Sequence, residues 1–250
     1  MPNLKQSLNI KQKYGGGASD LTKSKVETLL EAFDPNRIEK AFSFNTTVNK
    51  YQEYFKKRKK VKVILLFIDV TSFSTKFKSK TTEEVAAFLD SYYEKVFPYI
   101  VDNGGEIEKV MGDGIICVFG EPFLDDQLLA LHRKAEKCAT SIIKNCKGTE
   151  FESKIALHYG EVMYYQNPTC EYYEYTMIGN ALTELFRLES IASNNSISYY
   201  TDTPYDKINI NDASKGISGG TGVISWSISN PVSIDLPGVS YTQIRHLEKV

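Results

Sequence analysis

The sequence predicts an α+β fold, and three features carry that expectation. A continuous apolar run, Lys62 to Val70 (KVILLFIDV), has the texture of a strand buried on both faces of a sheet. Two later stretches, 82–101 and 125–146, read as long helices. Short strand-like runs fall in pairs between and after those helices. The chain has 250 residues, 42% hydrophobic and 24% charged, which is the composition of a soluble globular protein. That length suits one large domain or two small ones.

The elements are justified in order. Residues 1–19 are polar, end in Gly15-Gly16-Gly17, and read as a flexible arm. Asp20 or Ser24 can cap a helix running to about Phe33, with Val26, Leu29, Leu30 and Phe33 on one face. Asp34-Pro35 stops it. A second helix, about 45–58, ends in the basic run Lys56-Lys57-Arg58-Lys59-Lys60. That run reads as a solvated helix end, where the dipole favours cations, ahead of a nucleic-acid or membrane patch. Residues 1–60 thus form an N-terminal segment and 61–250 the main body. The body opens with the strand 62–70. Helix 82–101 follows, with Val85, Phe88, Leu89, Tyr92, Val96 and Phe97 at helical spacing. Asn103-Gly104-Gly105 turns the chain, and Glu106–Val110 and Gly114–Phe119 form a hairpin around Met111-Gly112-Asp113-Gly114. Helix 125–146, strands 154–164 and 172–178, helix 181–192 and a strand-rich tail complete the list. The first six elements are βαββαβ, the ferredoxin-like split motif.

Several classes of function drop out. Lys plus Arg is 30 and Asp plus Glu is 31, a net charge of −1, which disfavours a nucleic-acid partner. No membrane span is expected, because the densest apolar run, Val63 to Ile68, is far short of the roughly 20 residues a bilayer needs. MPNLKQSLNIK shows no secretory signal, so a cytoplasmic location is expected. Cys117, Cys138, Cys146 and Cys170 form no CxxC pair and read as reduced thiols. His132, His158 and His246 are isolated, with no zinc box. Neither a Walker loop nor a GxSxG elbow is present.

Two aspartates stand out. Asp69 is the charge at the end of an otherwise apolar strand, and Asp113 sits at the tip of a Gly-flanked hairpin. In a βαββ unit the outer strands flank the first, so the two carboxylates can converge. A carboxylate pair without His or Cys suits a hard cation, Mg²⁺ or Mn²⁺. The plainer reading makes Asp69 a helix cap and Asp113 a turn residue.

Five segments, in order, resemble the class III nucleotidyl cyclases. FIDVTSFS (67–74) is similar to their FxDIxGFT. Gly104-Gly105, Lys109 and Gly112-Asp113-Gly114 resemble their GG…K..GDG hairpin. ALHYGEV (156–162) resembles GIHxGxV, YTMIGNALTELFRL (175–188) resembles YDxxGxxVNxAxRL, and LPGVSYTQIRHL (236–247) resembles LKGVxxPVxVYRL. The resemblance covers about 62–247 and implies a head-to-tail homodimer with its sites between subunits. It implies that Asp69, Asp113 and the Val70 carbonyl hold two divalent metals, and that the amides of Thr71, Ser72, Phe73 and Ser74 cradle phosphates. Phe73 itself reads as a packing residue. It implies that Arg187, from the other protomer, clamps the α-phosphate, and that Lys109 and Thr176 read the base. A surface ion pair of Arg187 with Glu184 or Asp90 is the plainer alternative.

The chain departs from the pattern in three places. The catalytic Asn of the family is Thr183, with Asn180 one turn earlier as a substitute. The phosphate-binding Lys is Pro237, which has no donor. A loop Gly is Ser72. Lys109 as donor with Thr176 suits the acceptor-beside-amine edge of adenine or cytosine and disfavours guanine. Small size and altered catalytic positions resemble the Pycsar cyclases, antiphage enzymes whose cyclic CMP or cyclic UMP is read by a separate effector. The expected activity is therefore conversion of a pyrimidine nucleoside triphosphate, CTP ahead of UTP, to its 3′,5′-cyclic monophosphate and pyrophosphate. A tyrosine near the hairpin or on 172–175 would fill the space left by the small base. An adenylate cyclase and a catalytically inert nucleotide-binding dimerisation module are the alternatives.

Overall fold

The computed structural model describes residues 53–166, 175–214 and 226–249. The arm 1–19, the helix at 20–33, most of the helix at 45–58, the start of the strand at 172–178 and Cys170 lie outside those residues. Residues 53–56 are helical, as expected at the end of the second helix. The basic run is spent locally. Lys57 pairs with Glu53, Lys59 stands 4.2 Å over the Tyr54 ring, and Arg58 lies 5.3 Å from the Tyr165 ring centroid.

Strand β1 (Lys60–Val70) is the axis of the sheet. Its side chains alternate between two cores, which is why the run is apolar throughout. Ile64, Leu66, Ile68 and Val70 face one core. There they meet α2 (Thr82–Asp102) and α3 (Leu128–Cys146) through Phe88, Tyr92, Val96, Ala135, Ala139 and Ile142. Val63, Leu65 and Phe67 face the other core, closed by Ala181, Leu185 and Leu188 of α4 (Asn180–Ser190). Helix α2 starts with a full capping box, Thr81 and Glu84 each bonding the other's backbone N–H. Between β1 and α2 lies a single helical turn, α1 (Phe73–Lys76).

The hairpin β2 (Glu106–Met111) and β3 (Gly114–Phe119) returns beside β1, and β4 (Ser153–Gln166) covers β1's other edge. The order β2-β3-β1-β4 with antiparallel neighbours is the split arrangement expected from βαββαβ. Beyond it, β6 (Ser196–Tyr200) runs parallel to β4, and β9 (Gln243–Lys249) inserts between β6 and β7 (Trp226–Ile228). The short strands β5 (Tyr175–Ile178) and β8 (Val232–Ser233) pair with β4 and β9. Cys117, Cys138 and Cys146 are buried free thiols.

The tail differs from the expected run of strands by one helix, α5 (Pro204–Ser214). Its inner face buries Tyr205 in the core but is otherwise polar: Asp206, Asn209 and Asp212 are buried, with Asp206 paired to Arg245 and Asp212 to Arg133. An apolar period is absent, so hydrophobic patterning has nothing to detect.

Candidate active site

The C-terminal end of β1 and the β2–β3 turn form the acidic part of the site. Ile68 pairs with Ile115, and Met111 with Gly114, so the two-residue turn Gly112-Asp113 sits alongside Asp69 and Val70. Gly112 takes a φ of 61° as the first turn residue, a conformation that favours glycine there. From α2, Tyr93 donates its hydroxyl to the Gly112 carbonyl and pins the turn.

Asp69 and Asp113 thus meet, close enough that each carboxyl shifts the pKa of the other. Burial and the Asp113 charge push the Asp69 pKa up to about 7, and burial raises that of Asp113. Two carboxylates in one half-buried place ionise together only when a cation compensates them. Lys154, directly opposite Asp69 in the β1–β4 register, supplies one such charge, 3.5 Å from Asp69 and 2.7 Å from Glu189. Among the described residues no group of three His, Cys, Asp or Glu side chains converges. A pair of aspartates fits a hard divalent cation that completes its shell with water and substrate oxygens. Asp69 does not cap the following helix: the N-cap of α1 is Ser72, without a side-chain cap bond.

The loop 71–74 shows why a glycine stands there in the resembling pattern. Ser72 adopts φ 57°, ψ 32°, the left-handed region, so the backbone shape is kept at a strain cost of about 1–2 kcal/mol. The Thr71 amide donates to the Glu152 carbonyl at 2.8 Å, which removes it from the expected phosphate cradle. The amides of Ser72, Phe73 and Ser74 remain. Phe73 packs on Phe77 and Phe88, consistent with its reading as a packing residue.

Helix α4 carries the third group. Its inner side seats Ala181, Leu185 and Leu188, and Glu184 meets His158 of β4 at 2.8 Å. Seating is tight, since a Cβ on Gly160 of β4 would stand 2.5 Å from the Ala181 Cβ. Asn180, Thr183, Phe186, Arg187 and Ser190 form an exposed outer stripe. Asn180 also lines an open groove of about 500 Å³ with Gly160, Glu161, Gly179, Glu184 and Tyr241. Among the described residues Arg187 has no ion pair, and the plainer partner Glu184 is committed to His158. Glu189 faces Lys154 beside Asp69, and residues two apart on a helix point about 200° apart. Arg187 is therefore directed away from its own chain's carboxylates.

Lys109 is exposed on β2 and Thr176 is half-buried on β5. Between them stands Glu108, whose Oε1 accepts from the Met177 amide at 3.2 Å and lies 3.4 Å from the Thr176 hydroxyl. Pro237 occupies a turn in which the Val239 amide donates to the Leu236 carbonyl, with Gly238 at φ 76°. Pro-Gly at the two central positions is what a type II turn requires. Sequence reasoning missed Lys154, Glu189 and Glu108, because each acquires its place from strand register or helix seating.

The architecture matches known proteins. The adenylyl cyclase CyaB from P. aeruginosa superposes with a TM-score of 0.60 at 19% identity, over 76% of this chain and 94% of that one. The catalytic core of a rhodopsin-guanylyl cyclase with converted specificity, in complex with ATPαS, gives 0.60 at 18% identity, over 77% and 98%. A non-canonical dimeric guanylyl cyclase domain from the aquatic fungus Blastocladiella emersonii gives 0.57 at 16%, over 77% and 99%. The fold is that of the class III nucleotidyl cyclase catalytic domains. Among curated proteins, adenylate cyclase 1 of Rhizobium meliloti is 24% identical over 138 residues, 52% of this chain and 20% of that protein. The terminal-differentiation-specific adenylate cyclase of Dictyostelium discoideum is 23% identical over 133 residues, 52% of this chain and 6% of that protein. The match thus spans a fifth or less of those relatives' length. No family model matches the chain. No helix among the described residues is long and apolar enough to cross a membrane.

Proposed function

We propose that the protein is a nucleotidyl cyclase converting a pyrimidine nucleoside triphosphate, CTP ahead of UTP, to its 3′,5′-cyclic monophosphate and pyrophosphate, as a head-to-tail homodimer. One observation carries the reading: Asp69 and Asp113 converge in one chain while Arg187 of that chain points away from them. A site needing both is completed by a second copy.

In the reaction the ribose 3′-oxygen bonds to the α-phosphorus, the bond from that phosphorus to the bridging oxygen breaks, pyrophosphate leaves, and the hydroxyl proton passes to water. Asp69, Asp113 and the Val70 carbonyl would hold two divalent cations, Mg²⁺ or Mn²⁺, which stabilise the entering and leaving oxygens. The chain's own residues orient and balance charge. Amides at Ser72 to Ser74 face the triphosphate. Lys154, held by Glu189, adds a positive charge beside Asp69. Arg187 of the partner subunit neutralises charge growing on the α-phosphate. Thr183 and Asn180, on the same stripe, position the ribose. Lys109 donates to a ring acceptor of the base and Thr176 faces its amine.

The pyrimidine reading rests on Thr183 and Pro237 at altered positions and on the resemblance to Pycsar cyclases, whose product is a second messenger for a separate effector in antiphage defence. Of the tyrosines expected to fill the space beside a small base, Tyr93 stands at the hairpin. An adenylate cyclase is the second reading, because Lys109 and Thr176 suit adenine equally and the curated relatives are adenylate cyclases. Incubation with all four nucleoside triphosphates and Mn²⁺, followed by mass spectrometry, tests both. Cyclic CMP or cyclic UMP as main product supports the proposal. Cyclic AMP selects the second reading, and absence of any cyclic product leaves a nucleotide-binding module.

A further inference from the structure

Strand β2 carries one irregularity. Its pairing with β3 runs Glu106 to Val118 and Ile107 to Cys117, then resumes with Lys109 to Ile116. Glu108 is the extra residue of a bulge and has no counterpart in β3. Bulges re-aim a side chain, and this one sends a carboxyl group to a strand that is not β2's neighbour in the sheet. Glu108 Oε1 reaches the Met177 amide at 3.2 Å and the Thr176 hydroxyl at 3.4 Å. The strands bearing Lys109 and Thr176 are thereby tied by one side chain adjacent to both residues.

The tie has a polarity. Thr176 has two internal acceptors, Glu108 Oε1 and the Met177 carbonyl, each at 3.4 Å. Its proton is drawn inward, and what it offers a ligand is oxygen lone pairs. A base with an exocyclic amine can donate to that oxygen; a base with a carbonyl there leaves two acceptors facing each other. Both contacts fall on Oε1, so the group accepts through that oxygen whether or not Oε2 carries a proton. Burial, which raises the Glu108 pKa to about 7, does not reverse the polarity.

We infer that Glu108 is a specificity-positioning residue: by fixing Thr176 as an acceptor beside Lys109, it selects bases with an amine at pyrimidine C4 or purine C6, cytosine and adenine, over uracil and guanine, which carry a carbonyl there. The inference rests on the nucleotide-cyclising reading above. It makes Glu108→Gln and Glu108→Leu behave differently. The carboxamide keeps an acceptor at Oε1, whereas leucine fills the half-buried space and leaves the Thr176 hydroxyl one internal acceptor, the Met177 carbonyl, against which an outward turn of the proton then competes.

The test measures kcat/KM for each of ATP, GTP, CTP and UTP, and equilibrium binding of the same four by calorimetry, on the full chain. Wild type and Glu108→Gln should favour CTP over UTP and ATP over GTP. Glu108→Leu should lower both ratios by about 10-fold. In a Thr176→Val background, Glu108→Leu should change the ratios no further. A uniform loss across all four nucleotides, or unchanged ratios, would reduce Glu108 to a structural tie and overturn the inference. Thermal melts of both variants separate misfolding from altered selectivity, and Glu108→Gln keeps the test valid if leucine unfolds the protein. If wild type cyclises nucleotides without preferring CTP over UTP and ATP over GTP, the inference fails and the cyclase reading stands. If nothing is cyclised yet binding shows the preference and its loss, the cyclase reading fails and Glu108 keeps its role. Absence of binding overturns both.

Discussion

The acidic end of β1 and the outer stripe of α4 are built on opposite plans. Around Asp69, charges are answered within the chain: Lys154 bridges Asp69 and Glu189, and the Asp113 charge raises the Asp69 pKa. On α4, Arg187 and Thr183 project from an exposed surface beside the half-exposed ring of Phe186, and no ion pair restrains the guanidinium among the described residues. Unpaired exposure of a guanidinium is cheap in water, so it says little alone. Its value lies in the contrast: one helix presents Glu189 to its own carboxylates and Arg187 to whatever lies outside. The first region finds its partners within one chain, and the second, among the described residues, faces outward without an ion pair.

The largest effect is expected at the acidic end. Asp69→Asn or Asp113→Asn should lower turnover by about 10³-fold or more while sedimentation shows the same dimer mass. Activity within tenfold of wild type in either variant would break the comparison there. The outer stripe is tested by complementation. Arg187→Ala and Asp69→Ala, each inactive alone, should regain roughly a quarter of wild-type activity when mixed, because half the dimers carry one intact site of two. No recovery under demonstrated subunit exchange would mean that the stripe serves no partner.

Smaller effects sharpen the geometry. Gly160→Ala would force β4 and α4 apart and should cost about 1–3 kcal/mol in denaturant unfolding. Ala181→Gly in the same chain should restore much of that loss, since the Cβ that a residue-160 methyl would meet at 2.5 Å is gone. Additive losses would show that the tight seat is not what orients Arg187. The last test separates the fold from the site. Burial and the Arg133 charge lower the His132 pKa to about 4, and its ring stacks on Tyr205. A base whose folded pKa is depressed is stabilising above its unfolded pKa near 6.5, and this contribution is lost as pH falls from 6.5 towards 4. His132→Phe should remove about 2 kcal/mol of the stability lost between pH 7 and pH 5. An unchanged acid limb would place the acid sensitivity elsewhere.

What the sequence disclosed follows from how each feature is encoded. Strand β1 was legible because burial on both faces writes itself as an unbroken apolar run. The meeting of Asp69 and Asp113 was legible because βαββ order alone puts a β2–β3 turn beside the end of β1. Lys154 was not, because its position opposite Asp69 depends on antiparallel register, which local pattern does not specify. Glu108 was hidden by its bulge, which shifts the alternation by one residue. Helix α5 was hidden because it buries Asp206, Asn209 and Asp212 where a period of apolar residues would be read. The Thr71 amide looked available in the motif, and only the fold shows it donated to Glu152.

Insertion of β9 between β6 and β7 sets an order on assembly during synthesis. The segment from β1 through β4, with α2 and α3, can begin to collapse as soon as it leaves the ribosome, since the β2-β3-β1-β4 pairings lie within residues 60–166. Strand β6 pairs with β4 on one side, and its other edge stays open until residues 243–249 emerge. At roughly 5–20 residues per second that exposure lasts seconds. During this interval the nascent chain carries a strand with one open edge, the five residues Ser196–Tyr200, able to recruit any passing β-edge. A protein shortened before residue 243 would carry that open edge permanently, so C-terminal truncation should yield aggregate rather than a smaller soluble domain.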